Sequence, residues 1–177
     1  TQLLPQSASL TAPSRGGRLV SAISVDSKKC WNEEEMEASI SFKEKSMLSS
    51  CHLCPRDCGV NRLSGAVGFC GAGALARVAL VSLHKWEEPC LVGSDGRGAG
   101  TVFFSHCNLR CCFCQSHEIS HEGKGSDVTD ERLAEIFLEQ QARGAATLDL
   151  VTPTHYVPQI LAALHIARAR GFTLPVV

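Results

Sequence analysis

The clearest hydrophobic patterning lies in the second half of the chain. Thr101-Val102-Phe103-Phe104 is a compact run of β-branched and aromatic residues, with Gly98 and Gly100 before it and Cys107 after it, and it predicts a buried strand. Leu133, Ile136 and Phe137 then recur at helical spacing. Thr129 is placed to cap that helix, Asp130 and Glu131 suit its positive N-terminus, Val128 can staple onto Leu133, and Gly144 ends it. Residues 147–151 read as a second strand, 156–170 as a second helix with Pro158 in its first turn and Gly171 at its end, and 172–177 as a third strand.

Strand, helix, strand, helix, strand predicts an α/β fold with parallel strands joined by right-handed helical crossovers, and a doubly wound sheet and a (β/α) barrel both satisfy it. The chain stops inside the third strand. A hydrophobic parallel edge with no neighbour and no covering helix is a state natural folds avoid, so the expectation is a fragment that continues past Val177.

The first half is patterned differently. Residues 1–25 hold Arg15, Arg18 and seven Ser or Thr with no acidic residue, a composition that predicts a disordered leader; it also resembles an organellar transit segment, and Thr1 in place of Met suggests a missing start. Residues 26–50 turn charged, with Glu33, Glu34, Glu35 and Glu37 against Lys28, Lys29, Lys43 and Lys45, and predict a loose surface helix or none. The expected organisation is a poorly ordered leader over 1–50, a Cys-rich metal-binding module over 51–98, and the α/β part over 99–177.

Composition narrows the function classes. With 177 residues, 44% apolar, 20% charged and a net charge of -1, the chain suits one ordinary soluble domain and carries no strong field for nucleic acid. No uninterrupted apolar run approaches the roughly 20 residues of a membrane-spanning helix, and even the stretch from Ala79 to Leu83 is broken by Ser82.

Ten cysteines are the outlier, clustered at 51, 54, 58 and 70 and at 107, 111, 112 and 114, with Cys30 and Cys90 apart. Residues this close would need strained turns to form disulfides, so the clusters point to metal in a reducing compartment: cytoplasmic, or an organellar matrix if the leader is a transit segment. Cys107, Cys111 and Cys114 form C-x3-C-x2-C directly after the first strand of the alternating region. Loops at the carboxyl ends of parallel strands build active sites. Three thiolates can hold three corners of a four-iron four-sulfur cluster and leave the fourth iron open for substrate. Cys112 is expected to point away, since neighbouring side chains diverge in an extended loop.

Cys51, Cys54, Cys58 and Cys70 are spaced C-x2-C-x3-C-x11-C, which fits structural zinc or a closed auxiliary iron-sulfur cluster. Gly65, Gly68, Gly71 and Gly73 suit tight loops around such a metal. His106, His117 and His121 read as surface residues or as neighbours of the site. Other classes that use these residues are a noncatalytic iron-sulfur electron carrier, which would need a fourth ligand near the triad, and a zinc-binding interaction module, which would not need the alternating fold behind it.

The C-x3-C-x2-C loop with an aromatic before its last cysteine resembles the radical S-adenosylmethionine superfamily. EEPC at 87–90, GTVFFSHCNLRCCFCQSHEIS at 100–120 and LVTPTHYVPQI at 150–160 look like its pyruvate formate-lyase activating enzyme-like branch, and CHLCPRDCGVNR with GAVGFCGAG looks like that branch's amino-terminal module. The resemblance covers 51–177 and implies the amino-terminal part of a (β/α) barrel, truncated at about its third strand.

It further implies an oxidoreductase in which S-adenosylmethionine chelates the open iron and Phe113 lies against the adenine. The cofactor is cleaved to methionine and a 5′-deoxyadenosyl radical that abstracts hydrogen from a small substrate or a partner's glycine. A one-electron reductant such as flavodoxin or ferredoxin is the implied partner. Where the superfamily has Gly-Gly-Glu after the second strand, this chain has Thr152-Pro153-Thr154; Thr152 and Thr154 would supply hydroxyl or backbone contacts to the cofactor, or Thr154 would cap the next helix. His106 stands where the branch has a small residue, and Ser116-His117 where it has an amide and an aromatic.

Replacing Cys111 by Ala is expected to abolish cluster loading, while Cys112→Ala keeps it; iron and sulfide analysis of anaerobically reconstituted protein checks this, and the reverse result would overturn the ligand assignment.

Overall fold

The computed structural model describes residues 42–177, so the leader over 1–25, most of the charged stretch and Cys30 lie outside the described residues. The first element is a helix, α1, Phe42–Ser49. Leu48 on it is fully buried, and α1 packs against a later helix, so the described fold begins ahead of Cys51, where charge patterning set its start.

Strand β1, Ala76–His84, is followed by a short helical turn α2, Pro89–Val92, and by strand β2, Ala99–Phe104. A short turn α3, His117–Ser120, and strand β3, Ser126–Val128, come next. Helix α4, Asp130–Ala142, strand β4, Thr147–Val151, and helix α5, Val157–Ala169, complete the order.

These strands form one mixed sheet in the order β3-β1-β2-β4. β2 and β4 are parallel, as the alternation predicts, and the 172–177 segment continues that direction through a parallel bridge between Leu148 and Val176. It reaches β4 with only a few bonds, among them Leu148 N–H to the Pro175 carbonyl at 2.8 Å. β1, by contrast, runs antiparallel to both β2 and β3. Among the described residues the sheet is an open, mixed α/β sheet, and no barrel closes.

β1 escaped the pattern reading for a physical reason. Its register slips between Val78 and Leu80, which face Phe104 and Phe103 in turn, so a bulge at Ala79 breaks the two-residue period that marks a half-buried strand.

The helices are built as their sequences dictate. The Thr129 hydroxyl accepts the Arg132 N–H at 3.3 Å, Asp130 and Glu131 occupy the first turn, and Gly144 follows with φ of 82°. Leu133, Ala134, Ile136 and Phe137 are buried on one face and share a core with Ile160, Ala163 and Ala167 of α5. Gly100 in β2 lets α4 approach, because a Cβ there would stand 2.7 Å from Gln140 Cβ. No helix of the described residues is long and apolar enough to cross a membrane.

Gly100→Ala should therefore lower unfolding free energy by about 1–3 kcal/mol through overpacking, read by denaturant titration; an unchanged midpoint would mean that α4 is not seated on β2 as described.

Candidate metal centre

The thiol loop leaves the sheet through a buried anchor. Ser105, directly after β2, donates its N–H to the Arg77 carbonyl at 2.9 Å and its hydroxyl to the Lys124 carbonyl at 2.5 Å, and its own carbonyl accepts from His155 Nε2 at 2.9 Å. His106 and Arg110 then take left-handed backbone conformations, with φ of 69° and 53°, which fold the segment into a tight loop. The Cys114 N–H closes a turn onto the Cys111 carbonyl at 3.2 Å.

Cys107, Cys111 and Cys114 are half-buried on this loop, whereas Cys112 is exposed. Two of the three sulfurs accept hydrogen bonds: Cys107 Sγ from Leu109 N–H at 3.4 Å and Cys114 Sγ from the Ser120 hydroxyl at 3.3 Å. Donors aimed at sulfur stabilise a thiolate and tune whatever it ligates. Phe113 is 86% exposed, its ring open to solvent.

His106 fits where a small residue is expected because glycines flank it. A Cβ on Gly71 would stand 3.1 Å from its Nδ1, and one on Gly123 would overlap the ring. Burial, then the nearby Arg77 guanidinium, hold the His106 imidazole below its ordinary pKa range. His117 and His121 stack on each other at 4.3 Å and stay at the surface side of α3.

At the end of β4, Thr152 holds φ of 60°, an outlier for a β-branched residue and the kind of strain that clusters at functional turns. Thr154 is exposed and lies in a short 3-10 turn, Thr154–Tyr156. It does not cap α5: the residue before that helix is Tyr156, and no side chain makes the cap bond.

The upstream module is a second knuckle. Gly59 N–H bonds the Cys51 carbonyl at 2.9 Å, Cys51 N–H bonds the Val60 carbonyl at 2.9 Å, and Asp57 N–H bonds the Cys54 carbonyl at 3.0 Å. Asn61 caps the following turn, Arg62–Ser64. Cys58 Sγ accepts from Phe69 N–H at 3.4 Å, and Cys70 Sγ from Ala72 N–H at 3.5 Å. Gly68 is required here, since a Cβ would stand 2.8 Å from Cys58 Sγ.

Burial pushes the Cys70 thiol pKa up, the Ala72 N–H and Arg62 oppose it, and the nearby Cys51 and Cys54 thiols add to it, so three of these sulfurs share one neighbourhood. As they stand, no group of three or more His, Cys, Asp or Glu among the described residues is arranged closely enough to hold a metal ion. The donor set nonetheless fits thiolate-bound metal: free, half-buried cysteines on tight turns with donors directed at sulfur.

Neither the spacing nor the periodicity of the sequence revealed how the two modules meet. The Arg56 guanidinium lies 3.7 Å from the Phe69 ring centroid, and that of Arg110 5.8 Å from the same ring. Arg56 Nε also donates to the Asn108 carbonyl at 3.1 Å, and Arg110 Nη1 to the Phe69 carbonyl at 3.4 Å. Each thiol loop thus holds the backbone of the other. Phe69→Ala removes both cation–π contacts, worth about 0.5–1 kcal/mol each, and should raise the rate at which Cys107 and Cys111 react with a thiol reagent; an unchanged rate would show that the loops are ordered independently.

No family model matches the chain, and no solved structure matches it. The chain is 38% identical over 76 residues to an uncharacterized protein of Methanocaldococcus jannaschii, a match that covers 43% of this chain and 20% of that protein.

Proposed function

We propose that the chain is the cluster-bearing part of a radical S-adenosylmethionine enzyme of the pyruvate formate-lyase activating enzyme-like kind. The observation that carries the reading is the set of half-buried Cys107, Cys111 and Cys114, spaced C-x3-C-x2-C on a loop at the carboxyl end of β2, the strand that runs parallel to β4.

In this reading the three thiolates hold a four-iron four-sulfur cluster. When bound, it supplies the electron that cleaves S-adenosylmethionine to methionine and a 5′-deoxyadenosyl radical, which abstracts hydrogen from a small substrate or a partner's glycine. The protein's part is orientation. Leu109 N–H and the Ser120 hydroxyl hold two of the sulfurs in their acceptor roles, and the His155 bond to the Ser105 carbonyl keeps the start of the loop in line with the turn after β4. Phe113, exposed on the thiol loop itself, and Thr152 and Thr154, in the turn after β4, are the cofactor-contacting residues of the proposal. Cys51, Cys54, Cys58 and Cys70 hold a second metal, zinc or a closed iron-sulfur cluster.

Electron paramagnetic resonance of the anaerobically reconstituted, dithionite-reduced protein, with 5′-deoxyadenosine assayed alongside, tests this. A cluster signal that changes when S-adenosylmethionine is added, and is lost in the Cys107, Cys111 and Cys114 to Ala variants, is expected. A cluster indifferent to the cofactor would make the protein an electron carrier, and zinc without iron would make it an interaction module.

A further inference from the structure

His117 and His121 have no part in the cluster reading, yet a chain of contacts leads from them to Cys114. Its middle member is Ser120, at the end of α3. That turn is seated by backbone bonds that do not involve Cys114: His106 N–H donates to the Ile119 carbonyl at 2.9 Å, and Lys124 N–H to the Glu118 carbonyl at 3.0 Å. Ser120 is thereby carried to the thiol loop, where it is 7% exposed. Its hydroxyl oxygen stands 3.3 Å from Cys114 Sγ and 2.8 Å from His121 Nδ1.

A serine hydroxyl has a single proton to donate, a thiolate only accepts, and an imidazole nitrogen donates or accepts according to its tautomer. Were His121 Nδ1 unprotonated, it would be the nearer acceptor and would draw the serine's proton away from sulfur. With the ring's proton on Nδ1, the imidazole donates to Ser120 Oγ and the serine's proton is left for Cys114. The ring is held in this pose. It stacks on His117 with centroids 4.3 Å apart and planes 13° apart, and His117 Nδ1 faces Glu122 Oε1 at 3.5 Å.

We propose that His121 is a positioning residue: protonated on Nδ1, it turns the Ser120 hydroxyl onto Cys114 Sγ, with His117 stacked behind it to fix the ring. A donor aimed at a ligating sulfur favours the reduced, more negative state of a cluster, so the pair raises the reduction potential. That consequence rests on the cluster reading, whereas the order of the hydrogen bonds does not.

Nitrogen-15 nuclear magnetic resonance reads the tautomer directly in the metal-free full chain, labelled at histidine and kept reduced and anaerobic at about pH 8.5, where an imidazole is neutral. His121 should carry its proton on Nδ1 at least about tenfold more often than on Nε2, the reverse of the ordinary preference, and Ser120→Ala should restore that preference. An Nε2–H ring in the unaltered protein would overturn the proposal.

Dithionite titration of the reconstituted protein, followed by electron paramagnetic resonance, reads the consequence. Ser120→Ala should make one-electron reduction about tenfold less favourable, a drop of about 59 mV, with iron and sulfide content unchanged. His121→Leu should cost about threefold in the same direction, and the double variant should fall no further than Ser120→Ala alone, because His121 acts through the serine. Additive shifts, an unmoved potential in Ser120→Ala, or loss of iron from that variant each contradict the assignment. Protein that takes up no iron at all sinks the cluster reading alone, and the tautomer then decides the order of the hydrogen bonds.

Discussion

The thiol end of the sheet depends on the anchoring of one buried residue, Ser105. Its N–H, hydroxyl and carbonyl are bonded in turn to β1, to the loop before β3 and to the turn after β4, so Cys107 leaves from a point fixed in three directions. The anchor makes demands of its neighbours. Gly125, at φ of 146°, passes so close that any Cβ would overlap the Ser105 hydroxyl. His155 must donate through Nε2, and burial, the largest influence on it, pushes its pKa down to about 4, so the ring is neutral at ordinary pH. Such a loop pays its ordering entropy on folding, which is what pre-organisation of a ligand set requires.

Electrostatics reinforce that geometry. Arg56 and Arg110 meet over Phe69 between the two thiol loops, and Arg62 lies buried beneath Cys70 and Tyr156. At Cys70 burial is the larger influence and raises the thiol pKa, with the Ala72 N–H and Arg62 opposing it. The same arginines join the modules mechanically, since Arg56 and Arg110 each bond a carbonyl of the opposite loop.

Much of the α/β part was legible because its signals are local. The Thr129 cap, the α4 stripe and Gly144 act within a few residues of one another, and β2 and β4 are short runs with clear punctuation. The spacing of Cys107, Cys111 and Cys114 is likewise local, and the structure keeps the three on one loop with Cys112 exposed. β1 was not, because the bulge at Ala79 shifts its period, and β3 was not, because three residues carry too little pattern. The place of Thr154 also depended on where α5 starts, which put Tyr156 rather than Thr154 next to the helix.

The sequence by itself determined the chemistry on offer: two groups of thiols at metal-ligand spacing, one of them after a strand, and helices whose ends are written in their caps. Tertiary structure alone decided the mixed direction of the sheet, the glycines that make room for His106, the Arg56–Phe69–Arg110 junction, and the burial of Arg62 beside Tyr156. The division follows from range. Capping and spacing are interactions between residues a few positions apart, whereas these arrangements join residues tens of positions apart, and no local pattern records which distant partner a side chain will meet.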